Sequence, residues 1–238
     1  MELKTDALLL RAVDYGDSDK MVTLLTAEHG KVGAVMKGVK KANAKLKFAA
    51  QPFCFAEYVL AQKSDRNTVI SASLHDGFYT LSEDVFTFYA SAGVLEICDK
   101  LSFEGMDSKA LLIAAVTALK ELRDGEGASA ILRFLLAALN FAGYPVSAES
   151  CPFCGGELKG RMRFDMERGA FACISCEKGA LASEITYQTV RSALRCGELS
   201  DPDGLLRAIR LLCAYFRHHV ECELHAIPEA LKFLEESR

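Results

Sequence analysis

The chain has 238 residues, half of them apolar and a quarter charged, with a formal net charge of −4. That is the composition of an ordinary globular protein of one or two domains, with enough chain to bury a core unaided. It excludes intrinsic disorder, a collagen-like fibre and a disulfide miniprotein as overall classes. The longest apolar run, residues 111–119, is about half of what a bilayer core requires. The opening MELKTD lacks the basic-then-apolar pattern of a signal peptide. No membrane partner is expected.

The charge is unevenly spread. Residues 1–80 carry a net +2 and residues 81–238 a net −6. No acid occurs between Glu28 and Glu57, and that gap holds Lys31, Lys37, Lys40, Lys41, Lys45 and Lys47. One purely basic segment in an acidic chain is a candidate anion-binding site. The cysteines number nine, four of them paired as CxxC. With no signal peptide, a reduced compartment is expected, and the paired cysteines point to metal before disulfide.

Residues 1–80 read as β-structure. Leu3, Thr5, Ala7 and Leu9 alternate in a first extended run, and residues 21–26 and 31–39 form two more. Glu28-His29-Gly30 joins the second run to the third as a hairpin turn, with Gly30 free to adopt positive φ. Residues 53–61 and 69–74 form a fourth and a fifth, joined by the polar tetrad 64–67. Five short strands in so few residues predict a small closed barrel of the OB type, a fold that handles nucleic acid. Lys40, Lys41, Lys45 and Lys47 then lie on the connection between strands three and four, where flexible cations can track a phosphate backbone. The bland alternative is a solvated, mobile loop. Phe53, Phe55, Tyr58 and Phe78 read as core aromatics before base-stacking ones.

Residues 81–238 read as a helical domain interrupted by a ribbon at 148–180. Ser82 is the expected N-cap of a first helix carrying Phe86, Tyr89, Ala90, Gly93, Val94, Ile97 and Leu101. A second, 111–122, is apolar on most sides and is expected to be central and buried. A third runs 129–142, stopped by Gly143 and Pro145. Later helices start at Ser183, Pro202 and Pro228.

Between the third and fourth helices stands Cys151-Pro152-Phe153-Cys154, then, after 18 residues, Cys173-Ile174-Ser175-Cys176. Each CxxC turn can aim two sulfurs at one ion, and two such turns close a tetrahedron. The segment between them alternates Met162, Phe164, Met166, turns at 167–169 and returns through 170–172, as a hairpin would. Cys151, Cys154, Cys173 and Cys176 are therefore expected to hold one structural Zn²⁺, because four thiolates leave no position for a reactive water. Cys54, Cys98, Cys196, Cys213 and Cys222 read as small core residues. His218, His219 and His225 near Cys213 and Cys222 follow no known ligand spacing.

No catalytic constellation is present: GxGxxG, Walker A, HExxH and GxSxG are all missing. Asp14, Asp17 and Asp19 could serve a Mg²⁺-dependent nuclease, but aspartates are also common in strand-connecting turns. An enzyme is not expected.

Barrel, helices and an inserted four-cysteine ribbon, in that order, resemble the bacterial RecO family of recombination mediators. The residues behind the resemblance are TDALLLR at 5–11, Tyr15-Gly16-Asp17-Ser18-Asp19, Leu24-Leu25-Thr26, Gly30, GVKK at 38–41, Gln51-Pro52-Phe53, and Gly143-Tyr144-Pro145 ahead of Cys151. The tail EALKFLEESR departs from the basic ending of many members, so the resemblance carries no DNA contact to it. The resemblance implies a non-enzymatic, cytoplasmic, nucleoid-associated protein. It would bind single- and double-stranded DNA, anneal complementary strands and act with RecR to load RecA onto strands coated by single-strand-binding protein. Lys37, Lys40, Lys41, Lys45 and Lys47 are the expected phosphate contacts, with Arg11 and Lys20 as outer candidates. The rival reading is a zinc-ribbon adaptor whose barrel binds a protein.

Overall fold

A computed structural model describes residues 2–63, 66–176 and 178–236. The chain divides into two compact units, 1–123 and 124–238. No helix among the described residues is long and apolar enough to cross a membrane.

The first unit contains a closed five-stranded barrel in the order β1-β2-β3-β5-β4, formed by β1 (Glu2–Tyr15), β2 (Asp19–Thr26), β3 (Gly30–Met36), β4 (Phe55–Lys63) and β5 (Arg66–Asp76). All neighbours are antiparallel except β3 and β5, which meet in parallel at Val35 and Thr68. This is the OB-type barrel that the five runs predicted. Closure depends on β1, which is long enough to pair twice: residues 2–8 with β4 and residues 7–15 with β2. An irregularity between Leu9 and Arg11 bends the strand from one partner to the other. The tetrad expected between strands four and five falls partly on Ser64 and Asp65, outside the described residues.

Period-two alternation sends Ala7, Leu9, Val22, Leu24, Val32, Ala34, Met36, Ala56, Tyr58, Leu60 and Val69 into the barrel core. Tyr58 is fully buried, and its hydroxyl donates to the Ala49 carbonyl at 2.9 Å. That bond ties the connection between β3 and β4 to the core. Two helices share this unit: α1 (Val85–Leu101) and α2 (Lys109–Arg123). The α1 cap is Asp84, not Ser82: its carboxylate accepts from the Thr87 N–H at 2.7 Å and the Thr87 hydroxyl at 2.8 Å. Ser82 instead ends a short 3₁₀ turn. Helix α2 is also not the buried central helix expected. Leu111, Leu112, Ala115, Leu119 and Leu122 face inward, but Ile113 is exposed, so only one side is covered. The β2–β3 turn presses on the segment after α1. Gly30 has φ +63°, and a Cβ there would lie 2.0 Å from the Phe103 carbonyl oxygen. Only glycine satisfies both constraints.

In the second unit α3 (Ala128–Phe141), α4 (Glu184–Leu194) and α5 (Pro202–Val220) pack on one another, followed by α6 (Ala226–Glu236). Here α3 is the helix buried over most of its surface, because α4 and α5 both cover it. Asp201 caps α5 and Pro202 occupies its first turn. Between α3 and α4 lies a ribbon of β6 (Met162–Asp165), β7 (Ala170–Cys173) and β8 (Ala180–Ala182), in the order β7-β6-β8. The β6–β7 hairpin matches the alternation of Met162 and Phe164; β8 has no signal in the sequence.

The ribbon is anchored by aromatic rings. Phe164 sits edge-on to Phe171 at 5.1 Å and to Tyr215 of α5 at 5.4 Å, while Phe171 meets Tyr187 of α4 at 5.3 Å. All four side chains are fully buried. His219 adds a hydrogen bond to the Met166 carbonyl at 2.7 Å and stacks on Tyr144 at 4.2 Å.

Candidate nucleic-acid interface and metal centre

The basic segment leaves β3 at Met36 and returns as a 3₁₀ turn at Phe48–Ala50. It is a ladder of tight turns. Backbone bonds run from Lys41 to Gly38, from Ala44 to Lys41 and from Lys47 to Ala44. Val39 is buried, and Leu46 and Phe48 pack against the barrel core. With its apolar residues turned inward, the segment presents Lys37, Lys40, Lys41, Lys45 and Lys47 to solvent, all exposed.

The β1–β2 hairpin clamps the segment from the other side. The Lys40 N–H donates to the Ser18 carbonyl at 2.9 Å, and the Gly38 N–H donates to the Asp19 carboxylate at 2.7 Å. Lys40 Nζ reaches the Asp14 carboxylate at 2.7 Å, with Lys20 at 3.9 Å from the same group. These contacts hold both carboxyls below the ordinary range. For Asp14 the main cause is the bond from Lys40; for Asp19 it is the Gly38 N–H, helped by Ser18 and the positive field of Lys37 and Lys41. The aspartates therefore position the basic segment. Asp14, Asp17 and Asp19 do not converge as a metal triad: among the described residues the four paired cysteines form the one group able to hold an ion. Of the five lysines, Lys40 is engaged, whereas Lys37, Lys41, Lys45 and Lys47 make no ion pair among the described residues.

Of the outer candidates, Arg11 is exposed and Lys20 is half-buried beside Asp14. Phe53, Tyr58 and Phe78 are buried, as core aromatics should be, and Phe55 is half-buried against His75 at 5.0 Å. Tyr15, at the end of β1, is an exposed ring opposite Asp19, the residue that holds the Gly38 N–H of the basic segment. The exposure of Tyr15 was not legible in the sequence: strict alternation from Ala7 and Leu9 puts it on the inward side, and the irregularity between Leu9 and Arg11 turns it outward.

In the ribbon, Cys151, Cys154, Cys173 and Cys176 bring all four sulfurs within 4.8 Å of one another. Three of the separations are 3.2, 3.5 and 3.7 Å. Sulfurs bound to one tetrahedral ion at about 2.3 Å would lie ~3.8 Å apart, so the set fits a single ion with little adjustment. Gly155 makes the first knuckle possible. It takes φ +69°, its N–H donates to the Cys151 carbonyl at 2.9 Å, and the Cys151 N–H donates to the Gly156 carbonyl at 3.0 Å. Burial pushes the Cys151 thiol up, but the backbone N–H groups of Cys173, Cys154 and Phe153 outweigh it and bring it down to about 6. The Cys173 thiol is also lowered, first by the Ser175 hydroxyl, while that of Cys176 is driven up by its neighbour Cys173. Four thiols this close cannot all ionise without a cation, and an ion among them would remove the conflict.

The remaining cysteines and histidines have separate roles. Cys54 and Cys98 are buried, as expected, but Cys196 is exposed, and Cys213 and Cys222 are half-buried. Cys196 follows the Arg195 C-cap of α4 with φ +53°, a position past the helix with no core to enter. His218 faces Glu167 at 3.3 Å and His219 holds Met166, so these histidines brace the ribbon turn against α5.

Comparison with known proteins agrees with this architecture. The family described as Recombination protein O N terminal matches residues 1–78, and Recombination protein O C terminal matches residues 82–226. Among named relatives, the DNA repair protein RecO of Myxococcus xanthus is 31% identical over 229 residues, covering 93% of this chain and 94% of that protein. RecO of Anaeromyxobacter sp. is 31% identical over 98% of this chain and 96% of its own length. RecO of Bacillus subtilis is 30% identical over 80% and 75% respectively.

Proposed function

The chain belongs to the RecO family of DNA repair proteins, and from that membership we propose that it is a non-enzymatic recombination mediator. On this reading it binds single- and double-stranded DNA in the cytoplasm, at the nucleoid, and anneals complementary strands. With RecR it loads RecA onto strands coated by single-strand-binding protein. Annealing and loading rest on family membership alone.

The observation that carries DNA binding is the basic segment. Four lysines with no ion pair among the described residues, and one paired with Asp14, stand exposed on a clamped backbone beside an OB-type barrel. Such an array can meet phosphates without reading bases, and its backbone hydrogen bonds reduce the ordering cost of binding. The four cysteines are assigned to one structural Zn²⁺, which fixes the two knuckles of the ribbon and supplies no reactive position.

The test is fluorescence anisotropy with labelled single-stranded DNA over a salt series. Wild type is compared with a variant in which Lys37, Lys40, Lys41, Lys45 and Lys47 are all alanine. Each lost phosphate contact should flatten the log–log salt slope by about 0.7 on a single strand, so the variant slope should be shallower by roughly 3. Identical slopes would remove the site and keep the function. No binding by wild type at low salt would reject DNA binding by the isolated protein and favour an adaptor whose barrel binds a protein.

A further inference from the structure

The barrel wall beside the basic segment has an outer face formed by β1, β2 and β3. Register fixes its composition. On β1 and β2, Arg11 lies opposite Thr23, Val13 opposite Met21 and Tyr15 opposite Asp19. On β2 and β3, Thr23 lies opposite Gly33 and Met21 opposite Val35. The intervening residues Val22, Ala34 and Met36 are buried in the core. Val13, Tyr15, Met21 and Val35 therefore share the outer surface across three strands.

Tyr15 is 51% exposed and Val13 46%. Gly33 has no atom within 4 Å of where a side chain would begin, so the floor of the face is open. The ends of this apolar strip are basic. Lys37 follows Met36 in the turn whose Gly38 N–H bonds Asp19, the charges of Lys37 and Lys41 both act on Asp19 opposite Tyr15, and Arg11 stands at the other end. Asp19, the acid within the strip, is occupied by the Gly38 N–H. Asp17 lies at the hairpin tip, Asp14 is held by Lys40 on the other face of β1, and Glu96 and Asp99 of α1 lie near Arg11.

An exposed tyrosine alone is an ordinary surface residue. An exposed tyrosine in an apolar strip bounded by cations matches unpaired nucleic acid, which offers base faces and phosphates together. Duplex DNA offers phosphates alone at such a surface, because its bases are already stacked on one another. We propose that the outer face of β1, β2 and β3 is a base platform on which Tyr15 stacks, giving the protein a preference for single strands over duplex. The proposal rests on the DNA-binding reading of the basic segment and adds a residue and a selectivity to it.

The chain contains no tryptophan. Tyr15→Trp therefore places the sole indole of the protein on the platform, where its fluorescence reports stacking directly. Titration of this variant with oligodeoxythymidylate should quench the indole, and a blunt duplex of equal length should not. In parallel, Tyr15→Ala should weaken oligodeoxythymidylate binding by about tenfold while leaving duplex binding within a factor of about two. Single-strand binding without quenching in the tryptophan variant would overturn the platform. So would equal losses on both DNA forms, or no loss on either, in the alanine variant. A wild type that binds duplex and single strands, with Tyr15→Ala indistinguishable from it, rejects the platform alone. A wild type that binds neither rejects the mediator reading, and the platform with it.

Discussion

Asp14 and Lys40 are 26 residues apart in sequence and meet at 2.7 Å where the β1–β2 hairpin faces the basic segment. The pair is solvent-exposed, so it contributes little to stability. With Lys40 as a phosphate contact, as proposed, its effect would be on binding, since the Asp14 carboxylate occupies the position on Lys40 that a phosphate would take. Asp14→Asn should free Lys40, tighten single-strand binding by about threefold at low salt and steepen the salt slope by about 0.7. Affinity that falls in Asp14→Asn would mean that the pair orders the segment instead of competing for it.

Asp19 acts on the backbone and not on a lysine head group. Its carboxyl lies below the ordinary 3.8, chiefly through the Gly38 N–H. A carboxyl depressed by folding stabilises the fold fully above its unfolded value, and that stabilisation is lost as pH falls through the folded value. At neutral pH, Asp19→Ala should melt below wild type; below about pH 4 the two melting curves should draw together. A melting gap that stays constant through that range would show that the loss is in packing and not in the ionised carboxylate.

Tyr58 links the barrel interior to the connection that carries the lysines. Tyr58→Phe leaves the Ala49 carbonyl without its donor in a buried setting. The expected cost is about 1–2 kcal/mol in urea unfolding with the m-value unchanged. Weaker single-strand binding in the same variant would connect barrel packing to lysine presentation.

Chelation tests the metal assignment. Purified protein should contain one zinc per chain, and its removal under reducing conditions should raise amide exchange in the two knuckles around Cys151–Cys154 and Cys173–Cys176. The hairpin between them should stay protected, because Phe164 and Phe171 are held by Tyr215 and Tyr187. Loss of protection in the barrel on chelation would contradict a purely local role for the ion.

His219→Ala removes both the Met166 hydrogen bond and the Tyr144 stack. A loss of about 1–2 kcal/mol is expected, with the first changes in amide exchange at the β6–β7 turn. Unaltered exchange at residues 166–169 would move the support of that turn elsewhere.

Features with a local period were legible in the sequence. Alternation in the first run and turn-bounded runs after it located the five barrel strands, and the paired CxxC spacing located the four clustered cysteines, because each of these patterns is complete within a few residues. Features that depend on distant partners were not. The clamp on the basic segment needs Asp14 and Asp19, which precede it in sequence and register there only as turn residues. The seating of the ribbon needs Tyr187 and Tyr215, which read as ordinary helix positions until the hairpin rests on them. The misplaced α1 cap shows a different limit. Ser82 and Asp84 are both good capping types, and the 3₁₀ turn at Tyr79–Ser82 leaves only Asp84 free to bond Thr87.

The double pairing of β1 also orders events during synthesis. Residues 7–15 can pair with β2 as soon as the hairpin leaves the ribosome, whereas residues 2–8 must wait for β4, about fifty positions later. The wall bearing Tyr15 is thus available to form early, and the β1–β4 seam closes later, with the β5 pairings after it. Until then the nascent chain exposes an unpaired strand edge on its first residues, an interval in which a chaperone, or a second unfinished copy, could occupy the place reserved for β4.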